Sequence, residues 1–355
     1  MIARDADTIE VRDEERLDAA KLEPFLRSRL PVSEGAFALR QFGGGHANLT
    51  YLVRFGEAEY VLRRPPLGPV PPGAHDMRRE HRVLSTLHQG YPLAPRSYLL
   101  CTDHDVIGAD FFVMERRYGI AFRADVPEPW RARPGVLRGV GETLIDNLVA
   151  LHAVDPESVG LGDLGKPDGY VERQLRGWIE RWNNALTPDV GPAEPLVGWL
   201  RQNLPRSLRT TLVHNDYKLD NTLLDPADPA RTVAVLDWDM CTRGDPLMDL
   251  GYLLALWAEP EDTNESGVHG WMPTWRPGFP TRREAIERYA CGSGADLSEL
   301  HWYVIFNVFR YAAILQQIYK RYVNGQTHDE RFAEFGGAVN RIVERGLALI
   351  ERGRI

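Results

Sequence analysis

Three oxygen-bearing side chains stand at the spacing that phosphoryl transfer asks of a catalytic loop followed by a metal-binding carboxylate. They lie in the stretch LVHNDYKLDNTLLDPADPARTVAVLDWDMCTRGDPLMDLG, Leu212 to Gly251. Asp216 and Asn221 are five residues apart in a polar loop, and a short apolar run, Thr222 to Leu224, follows them. A second apolar run, Val233 to Leu236, delivers Asp237 at its end. In such a transfer the protein mainly positions groups and neutralises charge. Asp216 supplies an acceptor for the proton of a substrate hydroxyl. Asn221 and Asp237 offer the oxygen ligands that magnesium, a hard cation, requires. Lys218, two residues after Asp216, would place positive charge on the transferring phosphoryl group. His214 reads as a packed histidine that holds the loop, and Asp239 as either a support to the metal ligand or a solvated turn carboxylate. Asp245 suits a helix N-cap, with Pro246 at the first helical position.

The elements that must position these groups fall into two halves. Up to about Val32 the chain reads as a solvated helical arm with Leu17, Leu22, Phe25, Leu26 and Leu30 on its apolar side. From Ala36 the pattern turns to strands: Ala36 to Phe42, Asn48 to Phe55 and Glu59 to Arg63. The turn Gly43 to Asn48, with Gly44 and Gly45, would let backbone N–H groups approach phosphate oxygens closely. Arg63 ends the third strand where a phosphate-binding cation would stand. Glu80, on the helix predicted for Met77 to His88, could orient it as an ion pair. Two more strands follow, Tyr98 to Cys101 and Phe111 to Met114, completing a small, mostly antiparallel lobe of five strands and a helix.

Beyond Glu115 the pattern is helical: Val136 to His152, Gly169 to Trp182 and Leu196 to Asn203, then Pro246 to Trp257, Thr281 to Tyr289, Leu297 to Arg321 and Asp329 to Glu351. The run WYVIFNVF is apolar on most sides and marks a buried spine. Asp296 and Glu299 have the spacing of a capping box at its start. Trp271 to Pro280 belongs to an irregular loop of the kind that serves as a lid or a binding element. Gly160 to Pro167 matches a dinucleotide-binding pattern and nearly a phosphate loop, but both need a preceding strand. A helix precedes it here, and Pro167 replaces the metal-binding hydroxyl, so a glycine-rich connection is the better reading.

Composition narrows the function. Asp plus Glu total 50 against 42 for Lys plus Arg, a net charge of -8, which disfavours a nucleic-acid surface. No stretch approaches the roughly 18 apolar residues of a membrane span. The charged N-terminus lacks the apolar core of a signal peptide. Cys101, Cys241 and Cys291 are odd in number and far apart, against a disulfide framework. A cytoplasmic protein is expected.

These residues resemble the aminoglycoside phosphotransferase and choline kinase superfamily. The closer similarity is to the branch related to the kinase-like domain fused to some acyl-CoA dehydrogenases. FGGGHANLTYLV, MRREHRVLSTL, FFVMERRYG, LVHNDYKLDN and VLDWDMCTRGDPLMDLGYLL carry the resemblance, and YVLRRPP with GYVERQLRGWIERW points to the branch. The resemblance implies an α+β, two-lobed, protein-kinase-like fold with a small antiparallel-sheet N-lobe and a mainly helical C-lobe. Residues 1–115 would form the nucleotide-binding lobe with its arm, and 116–355 the catalytic and substrate-binding lobe. It implies ATP and Mg2+ as cofactors, Asp216 as catalytic base, and Asn221 and Asp237 as magnesium ligands. Gly44, Gly45, Asn48, Arg63 and Glu80 would serve the phosphates, and Glu115 with Arg116 would form the hinge against the adenine. Two departures are visible. Arg63 stands where most kinases have lysine, and Asp237-Trp238-Asp239 replaces Asp-Phe-Gly with no activation segment after it, which disfavours protein substrates. The acceptor implied is a small hydroxylated molecule, of hydroxyacyl-CoA type for this branch. An aminoglycoside or choline acceptor, or a nucleotide-binding regulatory module without catalysis, are the alternatives.

Overall fold

Alternation along the second predicted strand puts Leu49, Tyr51, Val53 and Phe55 on one face, and all four are buried there. The computed structural model describes residues 7–43, 48–68, 75–122, 125–131, 133–207, 209–262, 272–327 and 329–353. Two units are distinguished. One holds the chain up to Tyr118 with Val159–Leu161 and Ala234–Cys241; the other holds Gly119–Ser158, Gly162–Val233 and Thr242 onward.

The first unit is a six-stranded antiparallel sheet of β1 (Thr8–Ile9), β2 (Phe37–Phe42), β3 (Leu49–Phe55), β4 (Ala58–Arg64), β5 (Ser97–Cys101) and β6 (Phe111–Glu115). Its spatial order is β1-β2-β3-β4-β6-β5. The sequence gives five of these strands. The sixth, β1, pairs Thr8 with Phe42 and Ile9 with Gln41, and two residues are too few to show an alternation. The arm is correspondingly less helical than expected: α1 covers only Ala19–Arg27, capped by the Asp18 carboxylate on the N–H groups of Ala20 and Lys21. Its Leu22 and Leu26 complete the core over Tyr51, Val53, Phe55 and Leu62. Against β5 and β6 packs α2 (Met77–Thr86), whose cap is Asp76. A single helical turn, α3 (His104–Ile107), joins β5 to β6.

The second unit is mainly helical: α4 (Glu128–Arg131), α5 (Pro134–His152), α6 (Tyr170–Ala185), α7 (Glu194–Gln202), α8 (Leu247–Leu256), α9 (Arg282–Ser293), α10 (Leu300–Val323) and α11 (Phe335–Arg352). The expected spine is α10, with Trp302 to Phe309 all buried, and it packs on α6, α8 and α11. Its start is not a capping box. Glu299 occupies the N-cap without a side-chain bond, and Asp296 instead accepts from Ser298 N–H in the turn before it. The helix after the central loop also starts one residue later than expected, with Pro246 at the cap; Asp245 accepts from the Leu247 N–H. The Gly160 to Pro167 segment follows the end of α5 at His152 and precedes no phosphate-loop helix, so it is a connection, as read. Among the described residues no helix is long and apolar enough to cross a membrane.

Short strands frame the central loop. β7 (Thr211–Val213) pairs antiparallel with β10 (Thr242–Gly244), and between them run β8 (Thr222–Leu224) and β9 (Thr232–Val235). Gly251 of α8 lies so close to α10 that a Cβ there would meet the Tyr303 backbone at 2.8 Å. Gly251→Ala should therefore destabilise the protein by about 1–3 kcal/mol through forced separation of the two helices, read as a lowered urea midpoint at unchanged slope.

Candidate active site

The predicted residues assemble in two clusters, one in each unit. In the second unit, β7 leads into the loop from His214, and a single 3-10 turn, Leu219–Asn221, closes it. Asp216 is the centre of this cluster. The Lys218 ammonium donates to both of its oxygens, at 2.9 and 3.1 Å. The Asn221 amide donates to its Oδ2 at 2.8 Å and to its backbone carbonyl at 2.9 Å. The Tyr252 hydroxyl donates to Oδ1 at 2.8 Å from α8. Burial works against the Lys218 charge, but the fields of Tyr252 and Asp216 outweigh it and raise its pKa, so it remains an ammonium. Both amide hydrogens of Asn221 are committed to Asp216, which leaves its oxygen as the atom it can offer elsewhere.

The loop itself is held by a carboxylate beneath it. Asp249, fully buried in α8, accepts from the His214 N–H at 2.6 Å and the Asn215 N–H at 2.7 Å. His152 Nε2 contacts the same carboxylate at 3.3 Å, and the other ring nitrogen of His152 meets the Tyr289 hydroxyl at 2.7 Å. Asn215 needs this clamp, because its φ of 66° is the left-handed conformation that side chains disfavour. Arg310, buried in α10, donates to the Asn215 carbonyl at 2.6 Å, and the Tyr170 hydroxyl donates to the Asn215 side-chain oxygen at 2.5 Å. His214 has the packed place expected of it: it is fully buried, and its Nδ1 accepts from the Asp216 N–H at 3.2 Å.

In the first unit the centre is Arg63, at the end of β4. It donates to Glu80 of α2 at 2.9 Å and to Asp237 at 2.5 Å. With the Asn48 amide turned as its neighbours require, its oxygen accepts from Arg63 Nε at 3.0 Å and its nitrogen donates to His75 Nδ1 at 2.8 Å. Burial pushes the Glu80 carboxyl up from the ordinary range, Arg63 opposes the shift, and Asp237 and Asp239 add to it. Burial would lower the Arg63 pKa, but Glu80 and Asp237 raise it, so the guanidinium is permanently charged. Asp237 sits two residues beyond β9 with a φ of 69° and a side chain 32% exposed. The turn that presents it is anchored by Trp238, fully buried, whose indole N–H donates to the Val235 carbonyl and whose ring meets Tyr91 edge-on.

Glu115 ends β6 and pairs with Arg117 at 2.9 Å. The Arg116 guanidinium lies between the rings of Phe42 and Tyr118, at 4.9 and 4.6 Å, and pairs with Asp7. Gly44 and Gly45 lie outside the described residues, as does Trp271 at the start of the irregular loop. The rest of that loop is tied down: the Leu219 N–H contacts the Met272 sulfur, Thr274 donates to the Ala258 carbonyl, and Arg276 pairs with Asp125. Of the acids just before it, Glu259 and Asp262 pair with Arg282. Among the described residues no three His, Cys, Asp or Glu side chains cluster as a metal site. The Asp237 carboxylate and the Asn221 amide oxygen are each a hard donor of the kind that magnesium takes.

Comparison with known proteins places the chain in a family. The profile of the phosphotransferase enzyme family matches residues 38–295. The chain belongs to that family. Acyl-CoA dehydrogenase family member 11 of Gallus gallus is 35% identical over 97% of the chain. The match takes up 45% of that relative, so the chain spans about half its length. Acyl-CoA dehydrogenase family member 10 of Mus musculus is 32% identical over 91% of the chain and 30% of its own length. A solved Ralstonia eutropha structure assigned to the aminoglycoside phosphotransferases is 29% identical, with a TM-score of 0.80 over 95% of this chain and 99% of that one. The superfamily and the branch expected from the sequence are thus both supported, and the fold is that of the small-molecule phosphotransferases.

Sequence reasoning missed Asp249, His152, Tyr252 and Arg310. Asp249 was visible in GDPLMDLG but reads as one more acid at a helix start. Burial alone would push its carboxyl up; the His152 hydrogen bond and charge, with the His214 ring and N–H, hold it below the usual aspartate range instead. A depressed folded-state value stabilises the protein above an unfolded pKa of about 3.9 and loses that stabilisation as pH falls through the folded value. Asp249→Ala should cost about 3 kcal/mol at neutral pH, since two backbone N–H groups lose their acceptor. The difference from wild type, followed by urea denaturation, should shrink as the pH is taken below about 3.9.

Proposed function

We propose that this chain is an ATP- and magnesium-dependent kinase that phosphorylates the hydroxyl group of a small molecule. The observation that carries the reading is the Asp216 carboxylate, fixed by Lys218, Asn221 and Tyr252 in a loop that Asp249 holds in a strained conformation. In the reaction, the acceptor O–H bond breaks and its proton passes to Asp216. The acceptor oxygen bonds the γ-phosphorus, and the bond to the bridging oxygen breaks, its electron pair leaving on ADP. Lys218 supplies positive charge to the phosphoryl oxygens. Arg63, oriented by Glu80 and Asn48, does the same for the nucleotide phosphates, and Glu115 with Arg116 meets the base. Gly44 and Gly45 are proposed as phosphate-binding backbone positions from their sequence alone.

Asp237 and Asn221 each offer a hard oxygen to magnesium, which when bound neutralises phosphate charge. An aminoglycoside phosphotransferase, APH(4)-Ia, has this fold at 18% identity with a TM-score of 0.58, and is known as a ternary complex with AMP-PNP and hygromycin B. That supports an adenine nucleotide as donor in this fold.

For the acceptor we favour a hydroxyacyl-CoA or related hydroxy acid. The relatives named as acyl-CoA dehydrogenase family members support it, since a kinase region joined to such a protein would share its substrate class. The engagement of Glu259 and Asp262 with Arg282 also weakens the case for an acidic ring suited to a cationic acceptor. An amino-sugar acceptor is the second reading, favoured by the Ralstonia structure.

Phosphorus NMR with MgATP and a panel of hydroxyacyl-CoA thioesters, hydroxy acids and aminoglycosides tests this directly. A new phosphomonoester signal is expected with a hydroxyacyl compound, and Asp216→Asn should lower its rate at least about 100-fold. A signal only with aminoglycosides would select the second reading. ATP consumption equal in wild type and Asp216→Asn would remove Asp216 from its role.

A further inference from the structure

Every lone-pair direction of the Asp216 carboxylate is already taken. Oδ1 accepts from Tyr252 and Lys218, and Oδ2 from Asn221 and Lys218. A carboxylate has about four acceptor sites in all, so a substrate hydroxyl can reach it only if one donor leaves. The donors differ in their freedom to do so. Asn221 is held by its second bond, to the Asp216 carbonyl. Tyr252 is 3% exposed in the rigid helix α8, with the Arg310 guanidinium 4.6 Å from the centre of its ring. Lys218 alone is a long, flexible side chain, and its charge is the one that a phosphoryl group would draw away.

Resting on the assignment of Asp216 as the base, we infer that Tyr252 is a positioning residue for phosphoryl transfer. When Lys218 moves to the phosphoryl group, Tyr252 and Asn221 each retain one carboxylate oxygen and keep the plane of Asp216 fixed. The second lone pair of each oxygen is then open to the acceptor hydroxyl. Arg310 supports the arrangement twice, stacking on Tyr252 and binding the carbonyl of Asn215, the residue before Asp216. Burial and the neighbouring Asp216 charge raise the Tyr252 pKa, which keeps the phenol protonated and a donor.

The role separates from a structural one by kinetics. Phosphate release from MgATP, with water as acceptor, needs no knowledge of the natural substrate and can be run on Tyr252→Phe, Asp216→Asn and wild type. Tyr252→Phe should lower kcat about tenfold while KM for MgATP and the melting temperature stay within error, because only the orientation of the base is lost. Unchanged or raised turnover in Tyr252→Phe, with Asp216→Asn inactive, would overturn the inference and leave the base assignment standing. A rise in KM matching the fall in kcat would also overturn it. Full activity in Asp216→Asn would overturn both.

Discussion

A fully buried carboxylate, Asp249, is the group on which the rest of the site depends. It has no water to solvate it, so its charge must be met by donors, and the structure provides the N–H groups of His214 and Asn215 and the ring of His152. The same bonds force the chain at Asn215 through a left-handed conformation, and that reversal turns Asp216 toward Lys218, Asn221 and Tyr252. The strain and the buried charge compensate each other: neither would persist alone. Because Asp249 and Tyr252 share one helix, α8, the clamp beneath the loop and the donor to its carboxylate move as one body.

The first unit solves a similar problem with opposite signs. There the buried group is a cation, Arg63, and the partners gathered round it are Glu80, Asp237 and Asn48. A guanidinium offers five donors in a plane, enough to bind all three, where a lysine would act as a point charge. The departure from lysine at this position is thus matched by the number of acceptors that surround it. Asp237 itself is presented by a turn whose anchor is the buried Trp238, which explains why an aromatic residue follows the aspartate.

Much of this was legible in the sequence where chemistry and periodicity coincide. The order Asp216, Asn221, Asp237 has few other uses, and the apolar alternation of β3 and the continuous apolar run of α10 mark the core of each unit. The pairing of Arg63 with Glu80 also followed from their order along the chain. What escaped was whatever depends on contacts distant in sequence. Tyr252 reads as one more apolar helix residue, and only folding brings its hydroxyl to a carboxylate 36 positions earlier. His152 and Arg310 are likewise unremarkable in their own segments. The two-residue strand β1 is set by pairing with β2 rather than by its own pattern, and the capping-box spacing of Asp296 and Glu299 lost to a turn bond from Ser298. Spacing identified the reacting groups, and tertiary contact decided what orients them.

Whether the chain binds a nucleotide through magnesium is decided by the thermal stability of the wild type and Asp237→Asn. Titrations with MgATP, MgGTP and metal-free ATP would be compared for each. A ligand at 100 times its Kd adds about 2.7 kcal/mol, a rise of about 4 °C in melting temperature for a chain of 355 residues. Such a rise is expected with MgATP in the wild type, little without magnesium, and a much smaller one in Asp237→Asn. The same melting temperature with and without every nucleotide, in well-folded protein, would contradict nucleotide binding through magnesium.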